Sequence, residues 1–242
     1  MPDEADLNTT HAPRTSTAEA ATLPPPPALS LSPAFVPDRN TVADTWRWLW
    51  KDTAGRILPF ALASAAYARF SGDGARGIGL TREGVLRDVL IGNALGIPAA
   101  AVAIAFRRWV APGYRLPTPA DQAFQTAFYF GLNAPVEELF WRGTMQHLAI
   151  AGLRRVPGLH HVAEALGWAA TTAAFGAYHR LGRWSWRSIA GVTVAGGLFG
   201  ALYLRSRRSL LPAIIVHGYM TAGFLSWGDL ALHLLRRRRR QG

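Results

Sequence analysis

Two adjacent carboxylates, Glu137 and Glu138, interrupt an otherwise apolar stretch, and Arg142 follows four residues after the second. On a helix, Glu138 and Arg142 share a face with the acid N-terminal to the base, the favourable order for an ion pair. Glu137 then points about 100° away, without that partner. Asn133, one turn before Glu137, is placed to hydrogen-bond to it. Two further groups lie in later apolar stretches: His179, four residues after Phe175, and His217, with Thr221 one turn beyond it. A carboxylate in a partly dry site is a stronger base than one in water, and neutral imidazoles hold water or stabilise an oxyanion. An acid with two histidines is therefore a water-activating set. Each piece alone has a plainer reading. Glu138 and Arg142 also suit a structural ion pair at a membrane boundary, and a lone histidine in a helix is more often a satisfied core residue. Burying all of them separately would be costly, at ~2.5–3.5 kcal/mol per ionisable group in a membrane helix. Convergence in one polar pocket removes that cost.

The elements that must position these groups are apolar helices. Uncharged or nearly uncharged runs occupy 57–67, 89–106, 121–153 (broken by the Glu137-Glu138 pair), 162–178, 188–204 and 210–235. The first is short for a span unless the preceding Trp46, Trp48 and Trp50 extend it; indoles beside Arg47 and Lys51 suit a headgroup layer as well as an ordinary amphipathic segment. The pattern predicts an all-α, polytopic transmembrane helix bundle of about six spans, within a range of five to seven. Gly92/Gly96 and Gly196/Gly200, each four apart, read as close helix packing rather than chemistry. Glu164 and Asp229 read as boundary charges, and His147, His160, His161 and His233 fit loops, helix ends or interfaces.

Composition agrees with this organisation. Of 242 residues, 50% are hydrophobic and 17% charged, with no cysteine, so a disulfide framework, a thiol nucleophile and a thiolate metal site are excluded. The mean hydropathy of only +0.09 averages two unlike regions. Residues 1–52 carry a net charge of −3 and the remainder +14. Residues 1–44 read as a disordered Pro/Ala-rich tail that begins with acids and has no signal-peptide core, 45–235 as the membrane-embedded domain, and 236–242 as a basic tail. The net charge of +11 first suggests nucleic acid. The arginines, however, fall in short clusters between apolar runs, as in a membrane protein, so no nucleic-acid partner is expected. Arg236–Arg240 fits a cytoplasmic anchor for anionic lipid, with both termini on that side if the spans number six. Arginine outnumbers lysine 25 to 1, which together with the many alanines suggests a GC-rich bacterial genome and an inner-membrane location.

The ordered set Glu-Glu-x-x-x-Arg, Phe-x-x-x-His and His-x-x-x-Asn resembles the CPBP group of intramembrane proteases, which includes CAAX-processing enzymes of the Rce1 type. Here the first motif is complete at Glu137, Glu138 and Arg142, the second at Phe175 and His179, and the third has His217 with Thr221 in place of Asn. The sequence context of 78–227 is similar as well. The resemblance implies an intramembrane endopeptidase acting near the C-terminal part of a membrane-associated protein or peptide. It implies Glu137 as the base that activates water, His179 as a water holder, His217 and Thr221 in the oxyanion region, Glu138 and Arg142 as a supporting pair, and Asn133 and Phe175 near the substrate. Thr221 offers one donor where an amide offers two. No cofactor is expected, although Glu137, His179 and His217 also make three zinc ligands with a fourth position open. Two other classes fit the same residues: a non-catalytic membrane immunity or scaffold protein of this fold, favoured by Thr221, and a proton-coupled transporter with a Glu/His path.

Overall fold

The structure is a computed structural model that describes residues 47, 49–72, 74–110, 119–182, 184–228, 230, 231, 234, 235 and 238. The tail at 1–44, Trp46, Trp48, Asp229, His233 and all of Arg236–Arg240 except Arg238 lie outside the described residues. Within them the chain is helical and holds no strand.

Six helical rods correspond to the six apolar runs. The first runs through a wide π turn, Thr53–Ile57, into α1, Leu58–Phe70. Among the described residues the helix already includes Leu49, which is buried, and Trp50, before the apolar run begins. A short α2, Gly74–Gly77, leads to α3, Val85–Val110. The third rod covers 119–154 without a break: α4 (Pro119–Phe128), a π segment (Tyr129–Asn133), α5 (Ala134–Glu138), a second π segment (Leu139–Gln146) and α6 (His147–Arg154). Then follow α7, Ala163–Tyr178, α8, Trp186–Arg205, and α9, Leu211–Ala222, which widens into a final π segment, Gly223–Trp227. Among the described residues two helices are individually long and apolar enough to cross a membrane, Val85–Arg107 and Trp186–Arg205. The first keeps Leu86, Leu90, Ile97 and Val102 exposed. So much outward-facing apolar surface along one helix is stable against lipid and unfavourable against water.

The small residues act as the spacing suggests. A side chain at Gly92 or Gly96 would run into Ile215 or Tyr219 of α9, so these α9 side chains pack directly on the α3 backbone there. The contact is closed by a hydrogen bond from the Tyr219 hydroxyl to Asn93 Oδ1 at 2.9 Å. Gly196 and Gly200 of α8 make room for Phe175 and Gln146 respectively. Between α6 and α7, and again between α8 and α9, the chain turns at one end of the bundle. There Glu164 joins Arg154 at 2.7 Å and Arg208 at 3.2 Å. His160 and His161 are exposed in the α6–α7 turn, and His147 lies against the Tyr67 ring.

Gly96→Leu should push α3 off α9 and destabilise the bundle by about 1–3 kcal/mol, the usual range for overpacking. Gly152→Ala, where nothing lies within 4 Å of an added methyl, should leave stability unchanged or slightly raised. Thermal unfolding of the two purified variants in the same detergent checks both.

Candidate active site

Pro135 falls where a π segment passes into α5, inside the continuous rod, so its missing N–H removes one backbone hydrogen bond there, and the two π segments flank that short helix. π turns are rare and concentrate at functional sites, because each extra residue re-aims the side chains that follow. Here they bracket Glu137 and Glu138. Both are buried, and the helical step sends them in different directions.

Glu138 faces the interior. One oxygen, Oε1, accepts from His217 Nδ1 at 2.7 Å, and the other lies 3.3 Å from Arg142 Nε. Glu138 and Arg142 are both completely buried. The Arg142 guanidinium lies 4.8 Å from the Phe175 ring centre and 5.9 Å from that of Phe199, close enough for cation–π attraction to both. Its N–H groups have no hydrogen-bond partner among the described residues. Phe199 also stacks on the His217 ring at 4.6 Å and an interplanar angle of 12°. That imidazole is fixed by a carboxylate at its edge and an aromatic ring on its face.

Glu137 faces a different set. Asn133 Nδ2 donates to its Oε1 at 3.1 Å, as the one-turn spacing allows. His217 Nε2 stands 3.7 Å from its Oε2, near but beyond hydrogen-bond length. Glu137 also has a cationic partner that reasoning on the sequence missed: Arg56 Nη1 pairs with its Oε1. Arg56 is held in turn by Asp52, through Nε at 2.8 Å and Nη2 at 2.5 Å. The signal was present as an Asp-x-x-x-Arg spacing just before the first apolar run, but nothing in the sequence says that this turn reaches Glu137.

His179 caps the C-terminus of α7. Its Nδ1 bonds the carbonyl of Phe175 at 2.8 Å. A carbonyl only accepts, so Nδ1 carries the proton and Nε2 is left as the acceptor. The ring packs against Phe175, Tyr178 and Trp184, and lies within electrostatic reach of Arg56 and His217. Phe175 is fully buried and touches the rings of both histidines, so it fills the space between them rather than lining a surface open to substrate. Asn133, also assigned to substrate from the sequence, is buried and bonded to Glu137. Thr221 is half-buried one turn beyond His217 and makes no side-chain hydrogen bond to any described residue.

The structure thus brings Glu137, Glu138, Arg142, Asn133 and His217 into one contact network, with His179 joined to it through Phe175. Among the described residues no group of three His, Asp or Glu side chains is arranged as a metal site. Both ring nitrogens of His217 face carboxylates, and Arg56 already occupies Glu137.

Residues 119–223 match the model of the family described as Type II CAAX prenyl endopeptidase Rce1-like. The matched segment contains every residue of the network except Arg56 and Asp52, and a polytopic membrane helix bundle is the architecture of that family. No curated protein and no solved structure matches the chain.

Removing one partner of a dry ion pair leaves the other charge stranded. Arg142→Met should therefore cost about 3–5 kcal/mol, and the double variant Glu138→Gln/Arg142→Met should recover much of that loss. Unfolding midpoints of the two variants and the parent, compared in one detergent, decide this.

Proposed function

We propose that the chain is an intramembrane endopeptidase that hydrolyses a peptide bond near the C-terminal part of a membrane-associated protein or peptide, using water activated by Glu137 and no metal. The observation that carries this reading is the meeting of Glu137, Asn133 and His217 in a buried network inside an Rce1-like domain. In the proposed reaction Glu137 removes a proton from water as the oxygen attacks the carbonyl carbon, then returns it to the leaving amine. His179, through its accepting Nε2, holds that water. His217, with its ring locked by Glu138 and Phe199, lies in the oxyanion region, where the Thr221 hydroxyl, in place of an amide, donates to the developing charge. Glu138 and Arg142 fix the imidazole rather than exchange protons.

The proposed setting is a bacterial inner membrane with the C-terminus in the cytoplasm, Arg236–Arg240 against anionic lipid, and no nucleic-acid partner. A non-catalytic immunity or scaffold protein of the same fold is the second reading. It draws on one observation, the lack of any bond between Thr221 and the network.

The test is a comparison of protein termini, by mass spectrometry, in membranes of cells carrying the wild-type chain, Glu137→Gln or His179→Ala. Arg56 keeps its Asp52 partner in Glu137→Gln, so that variant should fold and insert. Wild-type membranes should show a set of C-terminally shortened membrane proteins that the variants lack, with cleavage reduced by about 10²–10⁴-fold. Identical termini in all three would reject proteolysis and leave the scaffold reading. Cleavage by the purified chain should survive exhaustive chelation; loss on chelation would reject the metal-free mechanism.

A further inference from the structure

Glu137 has two oxygens, and the network treats them differently. Oε1 is occupied twice, by Arg56 and by Asn133. Oε2 has no hydrogen bond among the described residues and faces His217 Nε2 at 3.7 Å. Arg56 cannot drift freely, because Asp52 grips its Nε and Nη2 and leaves Nη1 for Glu137. A planar guanidinium held on one edge presents the rest of its fork in a fixed direction, which a lysine cannot do.

The turn carrying Arg56 is itself anchored. Phe60 stacks on Phe140 at 4.0 Å and meets Tyr178 at 5.5 Å, and one turn further Thr144 bonds Ser64 at 3.2 Å. The first rod is thus pinned to the rod that bears Glu137 and to the helix that ends at His179. The charged and titratable groups around this point are Asp52 and Arg56 from the first rod, Tyr129, Glu138 and Arg142 from the third, Tyr178 and His179 from α7, and His217 from α9.

We infer that Arg56, oriented by Asp52, is a positioning residue of the hydrolytic site: with Asn133 it fixes Glu137 by Oε1 and so assigns Oε2 as the oxygen that takes the proton from water. The inference rests on the proteolytic reading for its chemistry. Water loses one O–H proton to Oε2 while its oxygen bonds to the carbonyl carbon, and Arg56 exchanges no proton. The first rod, which lies outside the matched domain, is in this account part of the enzyme's machinery.

The test uses the full chain in liposomes. The probe is an internally quenched, lipid-anchored peptide carrying the sequence of the most abundant cleavage site found in wild-type membranes. Arg56→Gln should lower kcat by about 10²-fold, the scale of a misplaced catalytic group, with KM changed by less than about threefold. Arg56→Lys, which keeps the charge and loses the fork, should recover part of the rate. Asp52→Asn should lower kcat by about tenfold alone and add nothing in the Arg56→Gln background, since it acts through Arg56. Wild-type kcat in Arg56→Gln, or multiplying losses in the double variant, would overturn the inference. A second readout needs no substrate: the melting losses of Arg56→Gln and Glu137→Gln should be strongly non-additive, and additive losses would refute the pairing itself. If wild-type membranes show no new termini, the proteolytic reading falls, and the role assigned to Oε2 with it, whereas the melting cycle still decides the contact.

Discussion

Two neighbouring carboxylates buried in an apolar bundle set the constraint on which this structure depends. Lipid offers no counter-charge and no hydrogen bond, so each acid requires protein partners of its own. Consecutive helical residues point about 100° apart, and one cation cannot serve both. Glu138 takes Arg142 from its own rod and His217 from α9, while Glu137 takes Arg56 from the first rod. The sequence pair Glu137-Glu138 therefore dictates which distant helices must meet. The resulting contacts are ionic, while the lipid-facing surfaces around them remain apolar.

Packing then makes those meetings possible and keeps them in register. A guanidinium and an imidazole can lie side by side only if the backbones allow it. Gly196 leaves room for Phe175, whose ring lies under Arg142 and beside both histidines. On the opposite side Phe199 covers the His217 face. Gly92 and Gly96 let α9 approach α3, and the Tyr219–Asn93 bond fixes its rotation, hence the direction in which His217 points. Small residues and aromatic rings here have a consequence for chemistry, because they convert a flexible imidazole into one with a single orientation.

Much of this was legible in the residues. The apolar runs marked the rods, and the spacings Asn133 to Glu137 and Glu138 to Arg142 marked contacts that a helix makes within itself. What depends on tertiary geometry was not legible. The π segments around α5 extend beyond the residues next to Pro135, and no local rule announces their length. Arg56 lies just before the first apolar run, and only the fold carries its side chain to Glu137. The residue types left His217 free to face any of several groups, and only the fold turns both of its ring nitrogens toward carboxylates. Thr221 shows the converse: its spacing placed it beside His217, yet a shorter side chain on the same helix forms no bond there.

The two ion pairs also differ in a way that separates their roles. Glu138 and Arg142 are both 0% exposed, whereas the side chains of Glu137 and Arg56 are 6% and 19% exposed. A completely dry pair can neither reach solvent nor lose a charge without stranding its partner, so it is suited to holding His217 in place. A pair in contact with solvent on one side can exchange a proton while its cation remains hydrated and held by Asp52. In the proposed mechanism, neighbouring glutamates with the same intrinsic chemistry divide into a support and a base by their different exposure.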